Sequence, residues 1–522
     1  MPGRPLDCPL ADGSSVQVAC IVAVARVRDN GRMHTPPSRA WHALTACVLV
    51  VARAAHCAIP ASETQALTDL YNATAGSSWT NHTNWLSVGA ECQWYGVTCD
   101  AGQTHVTSLA LQSNKLSGTL PDLSALTALQ TLNLGFNATL TGSAGGIANL
   151  TELRTLQINF CGFSGTFPSL NGLPHLHVLS IGGNQFSGPL PDPSGLQELT
   201  QYQVGRNAFT GAIPVITNVP ALTIVDVGAN QLVAPWPSFA GLASIQILVV
   251  AQNPINAPLP DLSGLATLQY FSAANIGATG TIPAMTNLPM LGTYDVGMNQ
   301  LTGGFPVFSS GFHPGSLRVN DNQLSGPVPS FGSLGALYAQ NNQLSGALPA
   351  FPAAGMQTLD MHNNQLAGSI PAWTGTAWTT VDLSGNQLDG SVASIGPLMN
   401  LLSFNISHNQ LTGAAPALPQ NGAIEYYDIS HNAFTGALPA MPNPNQLVGY
   451  RVDYNQLTGF APDIAGTALP QYQESALCPN LLDAHTTTQT LLDWNKATNK
   501  FFPFTPNWYA GCDDWIFVAV FD

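Results

Sequence analysis

Charge is scarce in this sequence. Its 28 Asp and Glu and 13 Lys and Arg amount to 8% of 522 residues, against a hydrophobic content of 45%. That balance excludes the self-repelling composition of a disordered chain and leaves ample material for a packed core. Cations are the scarcer sign: six lie before residue 59, so residues 59–522 hold seven against 25 acids, a net of −18. A body of that sign repels phosphate backbones, which argues against a nucleic-acid partner. No run of 18 or more uncharged apolar residues occurs, so no ordinary membrane span is expected. Catalytic signatures are lacking too. There is no GxSxG, no HExxH and no phosphate-binding GxxxxGK, so neither an enzyme nor a cofactor or metal site is expected.

Glycine (49) and proline (39) are abundant instead, and they recur at fixed offsets. LYAQNNQLSGALP, from Leu337 to Pro349, returns 22 residues later as LDMHNNQLAGSIP, from Leu359 to Pro371. Aligned on the Asn of LxLxxNxLxG, the series runs Asn114, Asn137, Cys161, Asn184, Asn207, Asn230, Asn253, Ile276, Asn299, Asn322, Asn342, Asn364, Asn386, Asn409, Asn432, Asn455. These 16 positions lie mostly 23 residues apart, with 20–22 around residues 322–386. A fixed period in this range specifies a solenoid.

Each column has a physical task. Alternating apolar pairs such as Leu359 and Met361 predict a short strand with one face buried. The Asn offers a donor and an acceptor to backbone groups left unpaired where the chain turns out of that strand, so stacked coils predict an Asn ladder. Cys161 is a small substitute with a weak donor. Ile276 is none, which predicts a locally different turn, with Asn275 next to it as a compensating side chain. Gly four residues on suits a backbone closed to residues with a Cβ, and Pro seven residues on fixes an extended return path.

The variant LxGxIP or LxGxLP, as in LAGSIP, LSGALP and FTGAIP, resembles the plant-type extracellular leucine-rich repeat. That class includes ectodomains of receptor-like proteins and polygalacturonase-inhibitor-like proteins. Similar repeats occur in leucine-rich-repeat surface antigens of kinetoplastid and other protists. The resemblance covers roughly residues 62–462, with a period one residue shorter than the plant type. It implies an α/β-type leucine-rich-repeat solenoid: a curved right-handed coil of about 16 repeats, a parallel β-sheet on its concave face, and a cap at each end.

Ser62 and Gln65 read as a capping box opening an N-terminal helix, with Leu67, Leu70 and Tyr71 on one face. ECQWYGVTCD then resembles the N-terminal cap of plant-type repeats, and the resemblance implies a disulfide between Cys92 and Cys99. A metal site there lacks two further nearby ligands. Cys478 and Cys512 are the only cysteines after the repeats and are expected to pair in a C-terminal cap, with Phe501, Phe502, Phe504, Trp508, Tyr509 and Trp515 covering the last coil. Ahead of the repeats, Arg39, the apolar run Ala43–Ala52 and the small residues after it have the layout of a secretory signal peptide starting at Met33. The expected organisation is therefore residues 1–32 as an upstream extension, 33–58 signal peptide, 59–107 N-terminal helical and disulfide cap, 108–462 leucine-rich repeats and 463–522 C-terminal cap or tail. On a secreted chain, Asn72, Asn81, Asn149 and Asn405 are candidate glycosylation sites, whereas the sequon at Asn137 falls on a ladder residue expected to be buried.

Strand residues between the buried positions line the concave surface, where solenoids bind. One column reads Asp226, Asp295, Arg318, Tyr338, Asp360, Asp382, Asn405, Asp428, Arg451. The column before the ladder includes Phe136, Phe160, Arg206, Met298, Asp321, His408, His431 and Tyr454. The candidate ligand-binding set is Phe136, Phe160, Tyr338, Asp360, Asp382, His408, Asp428, His431 and Tyr454. Exposed aromatics stack on sugars or anchor protein partners. His408 and His431 are expected to be neighbours, close enough among carboxylates to bind a metal or respond to pH, although solvated repeat residues account for them more simply. The expected function is a secreted or cell-surface protein that binds an extracellular protein, peptide or glycan on its concave face, with a membrane co-receptor as a further partner. The alternatives are a structural or antigenic coat without a specific ligand, and an enzyme inhibitor of the polygalacturonase-inhibitor-like kind.

Overall fold

The computed structural model describes residues 59–239, 241–306, 308, 314–351, 355–373, 375–420, 422–441, 445–461, 464, 475–477 and 479–483. The expected leader segments, Cys478, Cys512 and the C-terminal aromatics lie outside the described residues.

The alternating apolar positions form three-residue strands, one per coil, from Thr131–Asn133 to Gly449–Arg451, stacked in parallel register such as Ile224↔Ile247↔Tyr270. They build a 17-stranded sheet that starts with an antiparallel pair, Val97–Cys99 against Val106–Ala110. The middle residue of each strand points inward: Leu132, Val225, Leu337 and Val381 are all buried. Where that residue is tyrosine, its hydroxyl needs a partner in the core. Tyr202, Tyr427 and Tyr450 each donate to a carbonyl 11 residues back, those of Pro191, Pro416 and Pro439, at 2.7–2.9 Å. The recurring proline thus returns the chain and also presents an acceptor.

The ladder forms as expected. Asn364 Nδ2 donates to Met361 O (3.1 Å) in its own coil and Ala339 O (3.0 Å) in the preceding one, while its Oδ1 accepts from Leu344 N (3.0 Å). The two departures share one remedy. With no Oδ1 at Cys161 or Ile276, the amides of Leu140 and Ile255 turn to the carbonyls of Asn137 and Asn253 in their own coils, both at 2.9 Å. Asn275 does not stand in for the missing ladder residue. Its side chain is exposed, and its backbone takes the left-handed conformation at φ +52°.

A second layer of strands follows the ladder and breaks once. A six-stranded sheet ends at Gln231–Val233 and a ten-stranded one begins at Thr279–Thr281. The glycine four residues after the ladder explains the break: Gly211 and Gly346 both stand at φ +83°, a region that L side chains avoid. The coils of Asn230 and Asn253 carry Ala234 and Ala257 there, each followed by a proline without an N–H. Trp236 bridges the gap, its Nε1 donating to Pro258 O at 2.7 Å.

The N-terminal helix, Ala61–Ala73, departs from the capping box expected at Ser62 and Gln65. Pro60 is its N-cap, and Gln65 Nε2 donates instead to Asp69 Oδ1 at 2.8 Å. The fixed φ of proline, here −53°, pre-sets the helix entry two residues earlier than Ser62. Beneath the helix, Trp85 packs 4.8 Å from Trp79 and 4.9 Å from Trp94, and Cys92 is disulfide-bonded to Cys99 on either side of Trp94. Glu63 is 1% exposed and docks the helix on the first coil, accepting from Val106 N at 2.7 Å and contacting His105 Nδ1 at 2.6 Å. Glu63→Ala strands that buried amide, and urea unfolding is expected to show a loss of about 2–3 kcal/mol.

Candidate functional site

The first and third residues of most strands are the ones half-open to the concave side. In the third column, acidic residues recur for a local reason. Asp382 Oδ1 accepts from Ser384 N (2.9 Å) and Oγ (2.6 Å), and Asp428 Oδ1 from Ser430 N (2.9 Å) and Oγ (2.6 Å). Asp226 and Asp295 accept from Gly228 N and Gly297 N at 3.0 and 3.1 Å. Each carboxylate closes the turn that leaves its strand. Burial pushes the Asp226 and Asp295 carboxyls above the usual range. Arg451 Nε lies 3.6 Å from Asp428 Oδ2, and the Arg318 guanidinium sits 4.3 Å over the Tyr338 ring. Asn405, a candidate glycan acceptor, spends Nδ2 on Asp382 Oδ2 (3.1 Å) and Oδ1 on Ser407. Asn72 and Asn149 are exposed and Asn81 is half-buried, whereas Asn137 is 1% exposed within the ladder.

The column before the ladder has a different character. In all 16 coils this residue has positive φ, from +51° to +69°, and only Gly183 and Gly385 are glycine. For residues with a Cβ that conformation costs roughly 1–2 kcal/mol each. Here the structure brings together side chains that the sequence spaces a coil apart. Phe136 and Phe160 stack at 5.1 Å, while remaining 58% and 44% exposed. His408, His431 and Tyr454 form a three-ring stack, with centroids 3.9 and 4.1 Å apart. Between these groups runs a polar relay that sequence reading missed: Asn341 Nδ2 donates to Asp321 Oδ1 (2.7 Å), and Asn363 Nδ2 to Asn341 Oδ1 (2.9 Å). The column was legible, but amides in it carried no signal of their own. Burial, then His408, pulls the His431 imidazole below its usual range.

Two further residues escaped the sequence reading. Asn480 continues the ladder beyond Asn455, donating to Val452 O (2.8 Å) and Leu477 O (2.6 Å) and accepting from Leu457 N (3.0 Å). Its signature, Leu477-x-x-Asn480-x-Leu482, is intact, but the spacing is stretched. Asp453 is buried at 5% exposure with Oδ1 unpartnered; burial and then Asp428 push its carboxyl up, while Arg451 and His431 oppose. A raised folded-state value means that the charge costs stability at neutral pH, and that the cost fades as pH falls through that value. Asp453→Asn is therefore expected to raise stability by about 1 kcal/mol near pH 7 and by little near pH 4, read from thermal melts.

The geometry aligns with solved solenoids. The ectodomain of the Arabidopsis receptor kinase HAESA, in complex with the peptide hormone IDA and the co-receptor SERK1, superposes with a TM-score of 0.64 at 24% identity, over 81% of this chain and 78% of that one. The chain has the leucine-rich-repeat fold. The PEPR1–AtPEP1 structure gives a TM-score of 0.54 at 21% identity, covering 81% of this chain and 76% of that one. In sequence, a stretch of 103 residues is 39% identical to the receptor protein kinase WSS1 of Oryza sativa subsp. japonica; it spans 19% of this chain and a tenth of that relative's length. No family model matches the sequence. Among the described residues, no helix is long and apolar enough to cross a membrane.

Proposed function

We infer that this chain is an extracellular recognition protein that binds a peptide or protein ligand along its concave face and the adjoining rim, without catalysis of its own. The observation that carries this reading is the rim column. Phe136, Phe160, Met298 and Tyr454 are 44–59% exposed at positions where the backbone is left-handed. A fold needing only a turn would place glycine or asparagine there. Large apolar side chains held at a conformational cost, and left open to water, suit contact with a partner. HAESA, with the same fold, was solved with a peptide hormone, which supports looking for a ligand of that class.

The rival reading is a structural coat without a specific ligand. It is favoured by the turn-closing role of Asp382 and Asp428, which accounts for the acidic stripe without any ligand. The two part in a capture experiment on extracellular extracts, using the intact chain and a variant carrying Phe136→Ala, Phe160→Ala, Tyr338→Ala and Tyr454→Ala. The turn-closing carboxylates are left alone. Recognition predicts a partner held about 30-fold or more weakly by the variant. Equal capture by both baits, or none by either, supports the coat.

A further inference from the structure

Asp360, His362 and Asp382 come from two adjacent coils, and a ligand atom of each lies within 4.8 Å of the other two. The geometry points to a divalent metal site of the zinc class at these three side chains. It rests on the column geometry alone and does not depend on the ligand reading.

The charge arrangement singles out this part of the stripe. Further along, Asp428 is neutralised by Arg451 at 3.6 Å. Among the described residues, the pair Asp360 and Asp382 has no lysine or arginine within salt-bridge distance; Asp382 is bonded to the neutral Ser384 and Asn405, and the His362 imidazole lies with Nδ1 2.6 Å from Asp360 Oδ1. Two carboxylates on neighbouring strands are brought to the spacing of the β-ladder, where like charges facing each other are destabilising. A dication between them removes that repulsion. A second observation comes from the preceding coil. Gln340 stands two residues before its ladder Asn, as His362 does before Asn364, and its Oε1 is buried without a hydrogen-bond partner. The register of Tyr338 with Asp360 puts Gln340 next to His362 in the adjoining coil, and an uncommitted oxygen there is the kind of acceptor a cation site uses.

The donor set selects the ion. Carboxylates alone would suit magnesium or calcium, whereas an imidazole with two carboxylates suits zinc and its transition-metal neighbours. Three protein ligands leave a position open to water or to a group brought by a partner. His408 and His431, the pair the sequence makes conspicuous, are poorly placed to share an ion. Their rings lie face to face at 3.9 Å and 19°, so their in-plane lone pairs run side by side instead of converging.

The test uses the full chain, stripped with chelator and titrated calorimetrically with zinc chloride alone and then with calcium chloride. One zinc equivalent is expected, with binding weakened ~10-fold or more by His362→Gln and by Asp382→Asn, and unchanged by His408→Gln. No saturable zinc binding, equal binding by the His362 variant, loss with the His408 variant, or a preference for calcium would each overturn the assignment. Should Asp382→Asn disturb its turn, X-ray absorption of cobalt bound to the unsubstituted chain decides independently. One imidazole among oxygen ligands supports the site, and two imidazoles refute it.

Discussion

Asn364→Leu is expected to lower stability by about 3–5 kcal/mol. The substitution leaves the amide of Leu344 without its partner and takes one of two ladder bonds from the carbonyls of Ala339 and Met361, which keep Asn342 and Asn386, in a stack where Asn364 is 8% exposed. The orphaned buried amide costs about 1–3 kcal/mol, and each lost carbonyl bond about 0.5–1.5 kcal/mol more. Because each coil contacts only its neighbours, the damage should stay local. Hydrogen exchange is expected to rise in residues 337–366 and not in the coils around Asn184 or Asn432. Asn364→Cys should cost less, since the thiol of Cys161 already donates to Leu134 O at 3.3 Å in the same role. A loss below about 1 kcal/mol for the leucine variant would show that the ladder is ornamental.

Phe186→Ala is expected to cost about 3–5 kcal/mol. The ring is fully buried, lies between Phe163 at 6.1 Å and Phe209 at 6.2 Å, and meets Phe167 edge-on at 5.2 Å. Truncation removes one member of a stack whose other members are fixed by their own strands, so the hole cannot close by a simple side-chain shift. Phe186→Leu restores most of the volume, with the residue that most other coils carry there, and should recover more than half of the loss. Urea midpoints of the two variants provide the comparison.

These two sites were readable because a repeat makes each column its own control. Twenty or so residues of period fixed the strand, the ladder and the glycine, and even the departures at Cys161 and Ile276 were visible as departures. What repetition does not encode is distance between columns. His362 lies two positions from its ladder Asn and His408 one, and only the folded turn shows that the first meets carboxylates while the second meets a ring. Glu63 was opaque for another reason. A carboxylate within a helix reads as solvated until its partner, Val106 N in the first coil, is seen 43 residues away. The expected capping box failed because Pro60 competes for the same helix start.

The interrupted second layer has a mechanical consequence. Pulled from its two ends, a stack of parallel coils opens one coil at a time, each releasing about 75 Å of contour for its 23 residues at full extension. Most junctions resist with backbone bonds on both layers. Between Val233 and Thr279 the second layer has no strand pairing, and the concave strands, the Asn253 ladder bonds, the Asn256 N to Ile276 O bond and the Trp236 bridge carry the load. Force applied to this molecule should find its first yield point there, near the middle of the chain and far from the N-terminal cap.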